Sequence, residues 1–335
     1  MKNTESIPCP ICHSEKTKFL FEGWDLLLGY PDPALVYQCR DCEHIFVAGE
    51  LTPEQLADMY TNYYQRSDFN VDDYEPYKEK SGFFYWLDGE EWSAFRHVPK
   101  NVRVPDIGCG RCETLGYHKA RGCEVYGVEL DENLQKIADH YGFNIHVGLF
   151  DPSQYEPEYF DCITMDEVFE HLVDPLKTLR EINSILKPGG EFIANAPNPK
   201  SPGRLFFGKR WASWHLPYHR HFYSRKSIEI LAKASGFTVH RIKSATMSCQ
   251  LLNLWAFYFT AGKPGQKAPE ATRNCGMNLS ADVQKQWHVR LYTFLKKIPV
   301  AFSTDAYCRP LWCRRLEHYH FTKRKHLFVN HANRH

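Results

Sequence analysis

The chain lacks an N-terminal apolar stretch of the signal-peptide kind, and nowhere in its 335 residues does an apolar run approach the roughly 20 needed to span a bilayer. The expected location is therefore the cytoplasm. It also lacks a disulfide framework: four of its 12 cysteines form two close pairs near the N-terminus, and the others are scattered through apolar segments, where free thiols are expected. Its net charge is only +1. What it does have is 43% hydrophobic residues, enough for one large domain with appendages.

The near-zero total conceals a gradient. Residues 1–100 carry 9 Lys and Arg against 18 Asp and Glu, a net of −9, whereas residues 251–335 carry 14 against 4, a net of +10. Two readings stay open. Either the two ends pack together or are separately solvated, or the basic C-terminal part meets an anionic acceptor or touches a membrane peripherally.

Two C-x2-C pairs, Cys9-Pro-Ile-Cys12 and Cys39-Arg-Asp-Cys42, are separated by 26 residues. Four thiolates so spaced can converge tetrahedrally on Zn2+, and a segment of about 40 residues needs such a metal to fold. With four sulfur ligands no open position remains, so the metal is expected to be structural. His13 and Glu43 stand after the second cysteines, where zinc knuckles usually have Gly. Each must then adopt a positive φ. Thr52-Pro-Glu-Gln55 opens a helix with an N-cap and Pro at its first position.

The sequence Val102-Arg-Val-Pro-Asp-Ile-Gly-Cys-Gly-Arg-Cys112 reads as a buried strand, a glycine turn and the start of a helix over residues 114–121. Glu129 ends the next apolar run. Backbone N–H groups in such a turn can approach a ligand closely, and a carboxylate about twenty residues on can hold two ribose hydroxyls. The spacing alone fits NAD and S-adenosylmethionine equally. Strands are expected over 102–107, 124–128, 144–147, 160–164, 190–196 and 238–243, alternating with helices, which implies a doubly wound α/β sheet.

Asp106-Ile-Gly-Cys-Gly110, Val125-Tyr-Gly-Val-Glu129, Phe160-Asp-Cys-Ile-Thr164, Glu170-His-Leu-Val-Asp-Pro175 and Leu186-Lys-Pro-Gly-Gly190 resemble, in order and spacing, the class I S-adenosylmethionine-dependent methyltransferases. The order of zinc ribbon, Pro-Glu-Gln-Leu helix, tyrosines 63 and 64 and core is similar to a group associated with sugar, polysaccharide and secondary-metabolite methylation. The resemblance implies a seven-stranded Rossmann-like sheet and S-adenosylmethionine as cofactor. It implies cofactor contacts for Asp106, Gly108, Cys109, Gly110, Glu129 and Asp166, with Leu130 and Phe150 sandwiching the adenine. Cys112, in place of a third glycine, and Pro105, in a central strand, depart from the pattern and raise the question of a crowded or locally bulged cofactor loop.

In Trp211-Ala-Ser-Trp-His-Leu-Pro-Tyr-His-Arg-His221, His219 matches the family's recurring histidine and is the candidate general base. His221 and His171 are further catalytic candidates. His215 is a neighbour without that support, and with no carboxylate in the segment a base is preferred over a metal set. Trp211, Trp214 and Tyr218 are expected to wall a ring-shaped acceptor.

The organisation expected is a zinc-ribbon-like module over 1–50, an aromatic-rich cap over 51–97 and a methyltransferase domain over 98–335. The last contains a mostly helical insertion at 245–324, with an amphipathic face from Val283 to Ile298, and a closing strand at 325–332. The expected activity is O-methylation of a saccharide or related small or lipid-linked metabolite. Two other readings stay open. One is an RNA methyltransferase, which the acidic N-terminal third opposes, so nucleic acid is not the expected partner. The other is a catalytically degenerate binding protein on the same fold.

Overall fold

The computed structural model describes residues 6–64, 71–78, 93–244, 261–268 and 316–323. Its strands are β1 Thr17–Gly23, β2 Ala34–Cys39, β3 Ile45–Val47, β4 Arg103–Ile107, β5 Glu124–Glu129, β6 Asn144–Val147, β7 Phe160–Asp166, β8 Leu186–Pro197, β9 His221–Phe222, β10 Phe237–Ser244 and β11 Leu316–Lys323. Seven of them form one sheet in the order β10-β11-β8-β7-β4-β5-β6, with β11 antiparallel to both neighbours. The other four, β1-β2-β3-β9, form a small antiparallel sheet.

The central strands are apolar on both faces because helices cover both. Phe160, Ile163, Met165, Phe192, Ala194, Tyr319 and Phe321 are fully buried in one continuous cluster. Helix α1, Pro53–Asp58, starts at the predicted cap: the Thr52 hydroxyl accepts from Gln55 N, and the Gln55 side-chain oxygen accepts from Thr52 N. Helices α2 Glu113–Ala120 and α3 Gln135–Tyr141 follow β4 and β5. Asp174 caps α4, Pro175–Ile185, which buries Leu179, Ile182 and Ile185 along one stripe. Helix α5, Pro202–Phe207, leaves the end of β8, and α6, Arg225–Ala234, buries Ile228, Leu231 and Ala232 from a Ser224–Ser227 capping box.

Strand order reverses between β4 and β7, so the loops after β4, β5, β7 and β8 open on one rim with a crevice at that reversal. Pro105 leaves the β4–β5 ladder continuous from Arg103 to Ile107, while β4 pairs with β7 only at Asp106↔Thr164. The missing N–H is thus accommodated on the β7 side without a bulge towards β5.

The closing strand corrects the sequence expectation. It is Leu316–Lys323, not 325–332, and the more apolar later segment lies outside the described residues. Tyr319 and Phe321 alternate into the core, and Lys323 Nζ donates to Leu186 O at 2.7 Å, fixing the strand end. Most of the expected insertion, including residues 283–298, also lies outside the described residues.

Candidate functional site

The four N-terminal cysteines converge. Cys9 Sγ lies 3.6 Å from Cys42 Sγ and Cys12 Sγ 3.5 Å from Cys39 Sγ, and all four sulfurs fall within 4.8 Å of one another. Tetrahedral Zn–S bonds of about 2.3 Å place sulfurs about 3.8 Å apart, so the cluster fits Zn2+. The Cys42 thiol beside it, then the N–H groups of Cys12 and Ile11, hold the Cys9 thiol down to about 5 against the opposing effect of burial. His13 and Glu43 do sit at φ 57° and 62°, as knuckle turns require. Glu43 also reaches Lys226 at 2.8 Å and Lys200 at 3.0 Å, tying the knuckle to the larger domain.

At the cofactor loop the two glycines have different surroundings. A Cβ on Gly108, at φ +76°, would meet Val168 Cγ2 at 2.2 Å, so this glycine lets the β4 and β7 loops touch. A Cβ on Gly110 would find nothing within 4 Å, which leaves that side open to a ligand. Glu129, at the end of β5, spans the loop: Oε2 accepts from Gly110 N at 2.9 Å and Oε1 from Leu130 N at 2.7 Å. Asp106 is buried and engaged by the hydroxyls of Thr114 and Thr164, which fits it to orient the loop. Asp166 accepts from Asn195 Nδ2 at 2.9 Å across β7 and β8. Leu130 is 45% exposed beside Glu129, whereas Phe150 is half-buried against the core. Cys109 and Cys112 are both buried, and their mutual contact followed by burial pushes the Cys109 thiol well up. Cys112 adopts φ 63° with its side chain in the core cluster of Val104 and Leu115, so it fills interior space.

The histidines divide. His219 is fully buried, its Nδ1 lies 2.9 Å from Ser213 O, and its Nε2 lies 3.7 Å from Glu170 Oε1. A carbonyl only accepts, so Nδ1 carries the hydrogen and Nε2 faces the carboxylate. His171 packs edge-on to His219 with ring centroids 4.6 Å apart, and His215 does so at 4.9 Å. His171 Nδ1 also meets Tyr60 Oη at 3.3 Å. His221 is elsewhere: it faces His44 at 3.0 Å and stacks on Tyr223, and burial, then the Arg220 charge, lowers it to about 3.

Two expectations about this region need correction. Trp211 and Trp214 do not wall a pocket; they are 1% and 4% exposed, packed on each other and on Phe21 and Phe222. Aromatic rings of this size are drawn into the space between the small sheet and the loop. Half-buried Tyr60 and Tyr64 stand there instead, with rings 6.0 and 5.3 Å from that of Tyr218. A carboxylate does join the histidines. Glu170, His171 and His219 bring ligand atoms within 4.8 Å of one another, because Arg220 N donates to Glu170 O and Tyr223 Oη to Phe169 O, fastening two distant segments. Glu170 was legible as part of a motif but not as a partner of His219.

A family model described as a methyltransferase domain matches residues 74–242, spanning the glycine turn, Glu129, Glu170 and His219. The chain belongs to this family. The chain is also 30% identical over 143 residues to the ubiquinone biosynthesis O-methyltransferase of Xanthomonas campestris pv. campestris, a match covering 40% of this chain and 59% of that protein. The corresponding enzyme of Paraburkholderia phymatum is 28% identical over 157 residues, 43% of this chain and 68% of its own length. The chain thus spans about three-fifths of the Xanthomonas relative it matches. Among solved structures, a SAM dependent methyltransferase from Archaeoglobus fulgidus covers 69% of this chain and 88% of its own, at 21% identity and a TM-score of 0.39.

Proposed function

We propose that the protein transfers a methyl group from S-adenosylmethionine to a hydroxyl oxygen of a saccharide or related small or lipid-linked metabolite, with His219 as general base. The observation that carries this reading is the orientation of His219. Ser213 O fixes the Nδ1 hydrogen and leaves Nε2 to take up a proton beside Glu170. The O-methyltransferases among its relatives favour oxygen as the acceptor atom.

When bound, S-adenosylmethionine supplies an electrophilic methyl group on a sulfonium sulfur. Glu129 would hold the ribose hydroxyls, with the Gly110 backbone leaving room beside it and Leu130 covering the base. His219 Nε2 accepts the acceptor O–H proton as the oxygen attacks. Glu170, 3.7 Å away, stabilises the imidazolium so formed. Tyr60 holds His171 against His219. Half-buried Tyr60 and Tyr64, backed by the buried Tyr218 ring, give a ring-shaped acceptor apolar faces and keep water away. A competing reading uses the same geometry: a divalent ion on Glu170, His171 and His219 would bind the acceptor oxygen in place of proton transfer to His219.

The test begins with calorimetric titration of zinc-loaded wild-type and Glu129→Ala protein with S-adenosylmethionine, followed by transfer of labelled methyl to hydroxylated saccharides and phenols. Binding lost in the variant, and a rate lowered about 10²–10⁴-fold by His219→Ala at unchanged cofactor affinity, are expected. An unchanged His219→Ala rate sinks the base assignment. A rate abolished by a weak chelator that leaves the cysteine-bound zinc in place supports the metal reading instead.

A further inference from the structure

Leu205 and Phe206 are 76% and 82% exposed, the two most exposed large apolar side chains among the described residues. They are consecutive on α5, whose next residue, Phe207, packs inward against the small-sheet core. Arg204 precedes them, and Lys209 and Arg210 follow. Residues 192–228 contain seven Lys and Arg and no Asp or Glu. Of these, Lys200 and Lys226 are paired with Glu43 and Arg220 is buried, which leaves the cations next to the apolar tip, above all the exposed Lys209, to set its charge.

It also stands on a particular rim. Leu149 and Val173 are 66% and 55% exposed, and they follow the C-terminal ends of β6 and β7 as α5 follows that of β8. Exposed apolar residues of soluble proteins are normally scattered singly, whereas here four lie in loops on one rim of the sheet. No helix among the described residues is long and apolar enough to cross a membrane. Apolar tips flanked by basic side chains are instead the pattern of an interfacial anchor.

We propose that this rim docks on the surface of an anionic phospholipid bilayer, with Leu205 and Phe206 entering below the headgroups and Lys209 and Arg210 lying against the phosphates. This places the contact on α5 rather than on the basic C-terminal part. The chain runs from α5 directly into the loop that carries His215 and His219, so docking sets the start of that loop at the lipid surface with the buried histidines behind it. Docking itself is independent of the methyl-transfer reading; that it presents a lipid-linked acceptor rests on that reading.

The experiment is co-sedimentation of the full-length, zinc-loaded protein with phosphatidylcholine vesicles with and without phosphatidylglycerol. Wild type is expected to pellet with the phosphatidylglycerol vesicles and to be released as salt rises. The double variant Leu205→Ser/Phe206→Ser is expected to bind about tenfold or more weakly at unchanged S-adenosylmethionine affinity and thermal midpoint. Phe19→Ser, on β1 of the small sheet, should change nothing. Wild type that stays in the supernatant, or a double variant that pellets like wild type, overturns the proposal. So does a lipid-free dimer that the double variant abolishes, because a second copy would then cover the patch.

Discussion

His44 Nε2 and His221 Nδ1 face each other at 3.0 Å inside the protein, one imidazole donating to the other. Both are buried, and burial lowers both well below the ordinary histidine range. They join the cysteine module to the histidine loop. Around them Ile45 pairs with Phe222, Val47 N donates to Arg220 O, and Ser224 Oγ donates to Cys42 O. The small sheet beside the four cysteines therefore takes its fourth strand from the segment that ends the candidate base's loop.

Metal removal should accordingly be felt at His219. Stripping zinc with a strong chelator, or Cys39→Ser, is expected to raise amide exchange over residues 220–223 together with 45–47. Cofactor affinity should change little, because Gly110 and Glu129 belong to the other edge of the reversal point. Hydrogen exchange read by mass spectrometry decides. Unchanged exchange at 220–223 in the metal-free protein would sever the proposed coupling.

Gly108 and Gly110 should fail differently when substituted. Gly108→Ala drives a methyl group into Val168 and is expected to lower stability by about 2 kcal/mol or more. Gly110→Ala meets open space, so its main effect should be weaker cofactor binding, with only about 1 kcal/mol of backbone strain. Urea unfolding and calorimetric titration of the two variants separate these outcomes. Equal losses of stability would contradict the distinction.

The knuckle residues allow a paired comparison. Exposed His13 has φ 57°, and His13→Gly should stabilise the zinc-loaded protein by up to about 1 kcal/mol by relieving left-handed strain. Glu43→Gly relieves the same strain but releases Lys200 and Lys226. Its thermal midpoint should therefore fall below that of His13→Gly.

His118 on α2 predicts a pH dependence. Both its ring nitrogens are buried without a hydrogen-bond partner among the described residues, and burial, then the Arg121 charge, lowers it to about 3. The unfolded chain binds a proton near pH 6.5 that the folded protein refuses. Stability is thus fully present above about 6.5 and lost as pH falls from there towards about 3. His118→Met should flatten this limb, narrowing the loss at pH 5 by about 1–2 kcal/mol in urea unfolding. A variant with an unaltered acid slope would show that another group controls it.

Short-range chemistry along the chain encodes the local features. Cysteine spacing determined the four-sulfur cluster, the positive φ at His13 and Glu43 followed from knuckle geometry, and Thr52 and Pro53 marked a helix start. Apolar periodicity placed β4 to β8 and β10 within a few residues, since strand propensity is read over neighbouring positions. The remaining features arise only when distant segments pack. Tertiary packing chose residues 316–323 over a more apolar rival as the closing strand, because the ladder between β8 and β10 rewards fit across a sheet rather than local hydropathy. It sent Trp211 and Trp214 to the core and His221 to His44. It also brought Glu170 to His219. Those contacts join segments 49 and 177 residues apart in the chain, and no local pattern specifies which side chains meet once sheets pair and close.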